Sequence, residues 1–240
     1  MNRIRRFGYM LRELIFPRRC PVCDGIIDKD GEIICDGCRD TLRIIEEPYC
    51  MKCGRKLNCD EALCGECTSN MHEFESGRCV FVYDELMKES IYRFKYAGRA
   101  EYAEYYGKMA VKLYGNYIGK IKPDALIPVP LHKSRYIKRG YNQAEEIARV
   151  IGRELGIRVF DDVLIRAENT KVQKKLGAGA RQNNLKKAFK IGSNSVKLST
   201  VILIDDIYTS GSTIDACASV LKTAGIREVY YIVLGMGING

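Results

Sequence analysis

The chain has 240 residues, enough for one ordinary domain plus a small one, and 46% of them are hydrophobic, enough for a buried core. Its formal net charge is +9, from 39 basic and 30 acidic residues, which favours anionic partners: phosphates, nucleic acid or a membrane surface. No apolar run reaches the length of a membrane span or has the unbroken core of a signal peptide, so a cytoplasmic location is expected.

Residues 1–19 are basic with apolar residues between, and Arg12 and Glu13 interrupt any longer apolar run. This segment is expected to form an amphipathic helix, resting on the protein itself or on the inner face of the membrane.

Ten of the eleven cysteines lie between Cys20 and Cys79. With no secretion signal, disulfides are disfavoured. Eight cysteines form Cys-x-x-Cys pairs: Cys20/Cys23, Cys35/Cys38, Cys50/Cys53 and Cys64/Cys67. The two halves repeat at an offset of about thirty residues, CPVC with CDGC and then CMKC with CGEC. Two thiolates three residues apart wrap one side of a zinc ion, and a second pair completes a tetrahedron. Residues 20–72 therefore read as a double zinc ribbon holding two structural Zn²⁺ ions, with sequential and crossed pairing both open. Gly25, Gly37, Gly54 and Gly65 are expected to supply free backbone angles at the knuckles. Cys59 reads as a spare thiol, and Cys79 and Cys217 as small buried apolar residues. A redox role for the pairs lacks a surrounding thioredoxin-like βαβ pattern. His72 is expected to be inert or to replace one thiolate.

Residues 73–240 read as the main domain. Cys79–Tyr83 is expected to be a strand, and helices are expected over 86–96 and 102–118. Ala125–Val129 is the next strand, closed by Pro128 and Pro130. The segment after it carries Lys133, Arg135, Lys138 and Arg139 before the first acid, Glu145, and reads as a basic loop at a strand end. A helix over 142–155 and a strand over 157–165 follow. From Lys171 to Lys190 there are seven basic residues and no acid, with Gly177 and Gly179 giving an expected mobile loop. Alternating helices and strands point to an α/β layer with a mostly parallel sheet, whose ligand lies beyond the carboxyl ends of the strands.

The densest stretch is VILIDDIYTSGST, Val201–Thr213. Val201–Ile204 reads as a buried strand, followed by Asp205 and Asp206. Then comes a small hydroxyl loop, Thr209, Ser210, Gly211, Ser212 and Thr213, and an amphipathic helix. A loop that opens a helix presents free N–H groups and the positive helix end to a phosphate. Two adjacent acids accept hydrogen bonds from paired sugar hydroxyls or hold a cation. The alternative is an ordinary strand-to-helix turn whose hydroxyls merely cap the helix. A Walker loop is excluded because no Gly-Lys-Ser/Thr follows.

This stretch is similar to the phosphoribosyl pyrophosphate (PRPP) motif of type I phosphoribosyltransferases. The resemblance implies that Asp205 and Asp206 hold the ribose hydroxyls and that Thr209–Thr213, with Tyr208 beside them, hold the 5′-phosphate. PVPLH…RGYNQA from Pro128 to Ala144, together with Phe94-Lys95-Tyr96 and the cysteine pairs, resembles the ComF family of competence-associated proteins. That family joins a zinc module to a type I phosphoribosyltransferase-like domain, with a mostly parallel sheet flanked by helices. Gln173, Leu176, Arg181 and Asn184 also fall at its expected places.

What the resemblance implies is phosphoribosyl transfer to an acceptor with release of pyrophosphate. Mg²⁺ would accompany PRPP, and Lys95, Arg139 and Arg181 are candidates for the pyrophosphate. The family name implies DNA uptake, with single-stranded DNA and uptake proteins as partners. The competing expectation is a non-catalytic module that handles single-stranded DNA on the same fold. His132 is expected either to be structural or to act as an acid or base.

Overall fold

The computed structural model describes residues 17–27, 29, 31–58, 61–167, 188–192 and 197–237. Residues 1–16 of the N-terminal basic segment, Cys59, and Gln173, Leu176, Gly177, Gly179, Arg181 and Asn184 of the expected mobile loop lie outside the described residues.

The main domain is built on β1 (Gly77–Val82), β2 (Ala125–Pro128), β5 (Thr200–Tyr208) and β6 (Glu228–Met236). They form a parallel sheet in the order β1-β6-β5-β2. Its helices are α2 (Glu85–Tyr96), α3 (Tyr102–Ile121), α4 (Lys133–Arg139), α5 (Gln143–Leu155) and α6 (Ser212–Thr223). A short α1 (Gly65–Ser69) belongs to the cysteine-rich region. Strands β3 (Leu164–Arg166) and β4 (Phe189–Ile191) pair antiparallel as a separate flap.

Parallel strands covered on both faces read as continuous apolar runs, which accounts for VILI. Val201 and Leu203 join the core beneath α6, whereas Ile202 and Ile204 join the core beneath α2, α3 and α5. The first cysteine group packs into the second of these cores through Cys20, Val22, Ile34 and Leu42. The second group packs into the first, through Cys50, Cys53, Leu57 and Cys64. The repeat in the sequence thus puts one ribbon on each face of the sheet.

Four expectations are corrected. The central strand does not end at Ile204. It runs on through the acids to Tyr208, because Asp205, Ile207 and Tyr208 stay in register with Val233, Gly235 and Met236 of β6. The basic segment 133–139 is a helix, not a loop. His132 Nδ1 accepts from Ser134 N (3.2 Å), and Gly140 closes the helix at φ 82°, so both end signals were present. The strand expected over 157–165 is split: Val159 makes one parallel bridge to Leu126, the exposed Asp161 and Asp162 interrupt it, and Leu164 turns to face β4. Of the four knuckle glycines, only Gly54 has a positive φ, 73°. In the first ribbon Asp24 takes that conformation at φ 60°, its carboxylate held by Arg99 Nε (2.8 Å) and Tyr102 OH (2.6 Å).

Among the described residues, no helix is long and apolar enough to cross a membrane.

Candidate functional site

Because all four sheet strands are parallel, their carboxyl ends meet at one edge. Three sequence motifs converge there. Lys95, in the last turn of α2, sets its Nζ 2.9 Å from the Asp206 carboxylate, and both side chains are largely buried. Tyr141 OH donates to the Phe94 carbonyl, and Gln143 Nε2 donates to it at 3.5 Å. Asn142 caps α5 and donates to the Val129 carbonyl (3.1 Å), which fixes RGYNQA against the end of β2. Arg139 donates to Gln143 Oε1 (2.7 Å) and Tyr96 OH (3.1 Å), with its guanidinium 5.0 Å from the Tyr96 ring centre.

Asp205 accepts a hydrogen bond from the Asp206 amide (2.8 Å). Burial, and then the neighbouring Asp206 charge, push its carboxyl up to about 7. The two adjacent acids are therefore unequal: Asp206 is ion-paired, whereas Asp205 is poised to change charge near neutrality. Arg166, at the end of β3, was not singled out in the sequence. Its guanidinium lies 5.1 Å from the Phe189 ring, and its charge acts on Asp205 and Arg135. Only the flap brings it near the acids, and no local sequence signal foretells that.

The hydroxyl loop turns into α6 at Gly211, which has φ 72°. The N-cap is a glycine, and among the described residues no side-chain cap hydrogen bond closes the start of this helix. Ser210 and Ser212 hydroxyls bond each other at 2.9 Å, and Thr209 and Ser210 are exposed. Tyr208 lies beneath the loop, stacked on Tyr231 (centroids 5.3 Å, interplanar angle 11°), and its hydroxyl is buried with no hydrogen-bond partner among the described residues. The edge thus combines open helix amides, hydroxyls, two acids and three cations, Lys95, Arg139 and Arg166. That set can hold a phosphate and a polyol side by side.

His132 caps α4 with its ring nitrogen, which is the structural reading. His72 is not a metal ligand: its Nδ1 sits 2.8 Å from Asp215 Oδ2, and the cysteines around it are complete without it.

Cys20, Cys23, Cys35 and Cys38 form one cluster, and Cys50, Cys53, Cys64 and Cys67 the other, which decides for sequential pairing. A zinc ion with Zn–S near 2.3 Å needs sulfur–sulfur edges of about 3.8 Å. Cys23 to Cys35 spans 3.8 Å and Cys53 to Cys64 spans 3.7 Å. Four sulfurs per cluster fill a tetrahedron and leave no open position, so zinc there has a structural role. Metal analysis of the purified protein is expected to give two zinc ions per chain, and chelation is expected to unfold it, since structural zinc supplies on the order of 10 kcal/mol per site. A single zinc would contradict the double cluster.

Comparison with known proteins finds two family matches along the chain. The double zinc ribbon domain matches residues 11–68, and the phosphoribosyl transferase domain matches residues 101–235. Competence protein F of Haemophilus influenzae is 30% identical over 223 residues, 89% of this chain and 95% of that protein. The chain belongs to the ComF family. Within that family, competence protein ComFC of Bacillus subtilis is 30% identical over 86% of this chain and 89% of its own length. The DNA utilization protein YhgH of Escherichia coli O6:H1 is 28% identical over 82% of this chain and 93% of its own. This ComF-family chain has the type I phosphoribosyltransferase fold.

Proposed function

We propose that this ComF-family chain binds PRPP at the carboxyl edge of the sheet and transfers its phosphoribosyl group to an acceptor, releasing pyrophosphate, in a step of DNA uptake or use. One observation carries the reading: α6 opens at an uncapped left-handed glycine, a short hydroxyl loop beyond the strand that carries two acids. A phosphate would satisfy the first-turn amides, and the two acids at the end of the preceding strand would take the sugar hydroxyls of the same molecule. The link to DNA rests on relatives named for competence and DNA utilization.

Each residue then has a task. Thr209, Ser210, Gly211, Ser212 and Thr213 hold the 5′-phosphate, with Tyr208 as their support. Asp205 and Asp206 accept hydrogen bonds from the ribose hydroxyls and face the positive charge that develops on the ribose. Arg139 meets the departing pyrophosphate, and Lys95 shares its charge between Asp206 and the same anion. Mg²⁺ bound with PRPP would neutralise part of the pyrophosphate charge. Calorimetry with PRPP and Mg²⁺ should give saturable heat and a raised melting temperature. Absence of both would sink the proposal.

A second reading has its own support. Single-strand binders combine cations with exposed rings that stack on bases. Tyr92, Tyr96 and Tyr136 are exposed, and the Tyr92 and Tyr96 ring centres are 5.0 Å apart. Lys138 lies over the Tyr96 ring, and Lys133 and Arg135 share its helix. If this face handles single-stranded DNA, Tyr92→Ala with Tyr136→Ala should weaken binding on the order of tenfold or more at fixed salt. Affinity should also fall steeply with salt. Unchanged binding in the double variant would remove this surface from consideration.

A further inference from the structure

The second cysteine cluster is joined to the candidate phosphate loop by a continuous path of contacts through Tyr231 and Tyr208. Cys53 belongs to that cluster, and its carbonyl accepts a hydrogen bond from Tyr231 OH at 2.7 Å. The Tyr231 ring fills the space left by Gly77, where an added Cβ would lie 2.1 Å from it. Tyr231 stacks on Tyr208, and Phe74 meets both rings edge-on, at 4.9 and 6.5 Å. The Tyr208 hydroxyl reaches the underside of Gly211, 2.2 Å from where a Cβ would stand.

A second path runs behind the loop. Asp215, in the first turn of α6, accepts from the Glu73 amide (2.9 Å) and pairs with His72 at the exit of the same ribbon. His72 stacks on Phe74 at 4.7 Å, which closes the circuit. The first cluster has no part in it. It is tied instead to α2 and α3, through Ser90 to the Pro21 carbonyl and through Arg99 and Tyr102 to Asp24.

We infer that the second cysteine centre is a positioning element for the phosphate loop: the Cys53 carbonyl, Tyr231 and Tyr208 form a floor that keeps Gly211 left-handed. The Asp215 clamp fixes the first turn of α6 on the same base. This inference rests on the sugar-phosphate reading for its ligand, though not for its mechanics. A rigid floor matters because loop amides bind an anion well only if they already point at it.

Two matched variants test it. Tyr231→Phe removes the hydroxyl bonded to the second ribbon and keeps the ring. Tyr102→Phe removes a comparable hydroxyl bonded to the first. Both should retain two zinc ions. Tyr231→Phe should weaken ribose 5-phosphate binding about tenfold and speed hydrogen exchange at the Asp215 amide, which bonds the Gly211 carbonyl at 2.9 Å. Tyr102→Phe should do neither. Asp215→Asn, which loosens only the rear clamp, should reproduce the loss if Tyr231→Phe proves too unstable to study.

Equal exchange rates in the wild type and Tyr231→Phe would overturn the inference, as would a loss shared equally with Tyr102→Phe. If the wild type takes up no ribose 5-phosphate, the sugar-phosphate reading fails. The exchange comparison then decides the coupling by itself.

Discussion

Replacing Asp205 and Asp206 together by asparagine should abolish measurable PRPP binding while leaving two zinc ions per chain. Hydrogen bonds to charged carboxylates contribute about 1.5–3 kcal/mol each, so losing two costs on the order of a hundredfold or more in affinity. Asp206→Asn alone also strips Lys95 of its partner at 2.9 Å, so it should lower stability as well as affinity. Asp205→Asn alone should behave differently. Burial and the Asp206 charge hold the Asp205 carboxyl near 7, well above its value in the unfolded chain. The folded protein therefore binds the extra proton between about pH 4 and pH 7. Stability from this group is full below that window and is lost as pH rises through 7. Asp205→Asn should flatten that decline and leave the variant more stable than the wild type at pH 8. PRPP affinity of the wild type should rise from pH 6 to pH 8, because the ionised acid is the better acceptor for sugar hydroxyls. Thermal melts and calorimetry across this range check both signs. A wild-type affinity that is flat with pH would remove Asp205 from sugar binding.

Gly211→Ala should be the most damaging single change in the loop. The residue has φ 72°, a region that costs an L-residue roughly 1 kcal/mol. The added Cβ would also lie 2.2 Å from the Tyr208 hydroxyl and 2.7 Å from its ring carbon. The ring cannot withdraw, since it is stacked on Tyr231. Overpacking of this kind adds about 1–3 kcal/mol. The melting temperature should fall by several degrees and phosphate binding should be lost, whereas Ser212→Ala should weaken binding only a few-fold. Tyr208→Phe removes a buried hydroxyl that has no hydrogen-bond partner among the described residues, so by itself it should not destabilise the protein. Combined with Gly211→Ala it should restore part of the lost stability. Additive losses in the double variant would mean that the clash is not the cause.

The cysteine spacing and the Val201–Thr213 stretch were legible because their chemistry is local. Four thiolates in two Cys-x-x-Cys turns announce a tetrahedral ion, and an apolar run ending in two acids and a hydroxyl loop announces a strand, a turn and a helix. The end of that strand was misplaced because β6 pairs with Asp205–Tyr208, and pairing partners lie far away in sequence. The 133–139 helix is short and strongly basic, with no apolar stripe to mark it, and its only local signals are the caps, His132 at one end and Gly140 at the other.

By itself the sequence determined the α/β alternation and the two four-cysteine units, and it nominated the residues of the candidate site, since each depends on spacing within a few residues. Tertiary structure alone decided which ribbon lies under which sheet face, that Lys95 grips Asp206, and that Tyr208 and Tyr231 link a metal centre to the loop. Those contacts join residues 111 and 178 positions apart, as Lys95 with Asp206 and Cys53 with Tyr231. Packing of a closed core brings such residues together, and no local preference of the chain encodes that meeting.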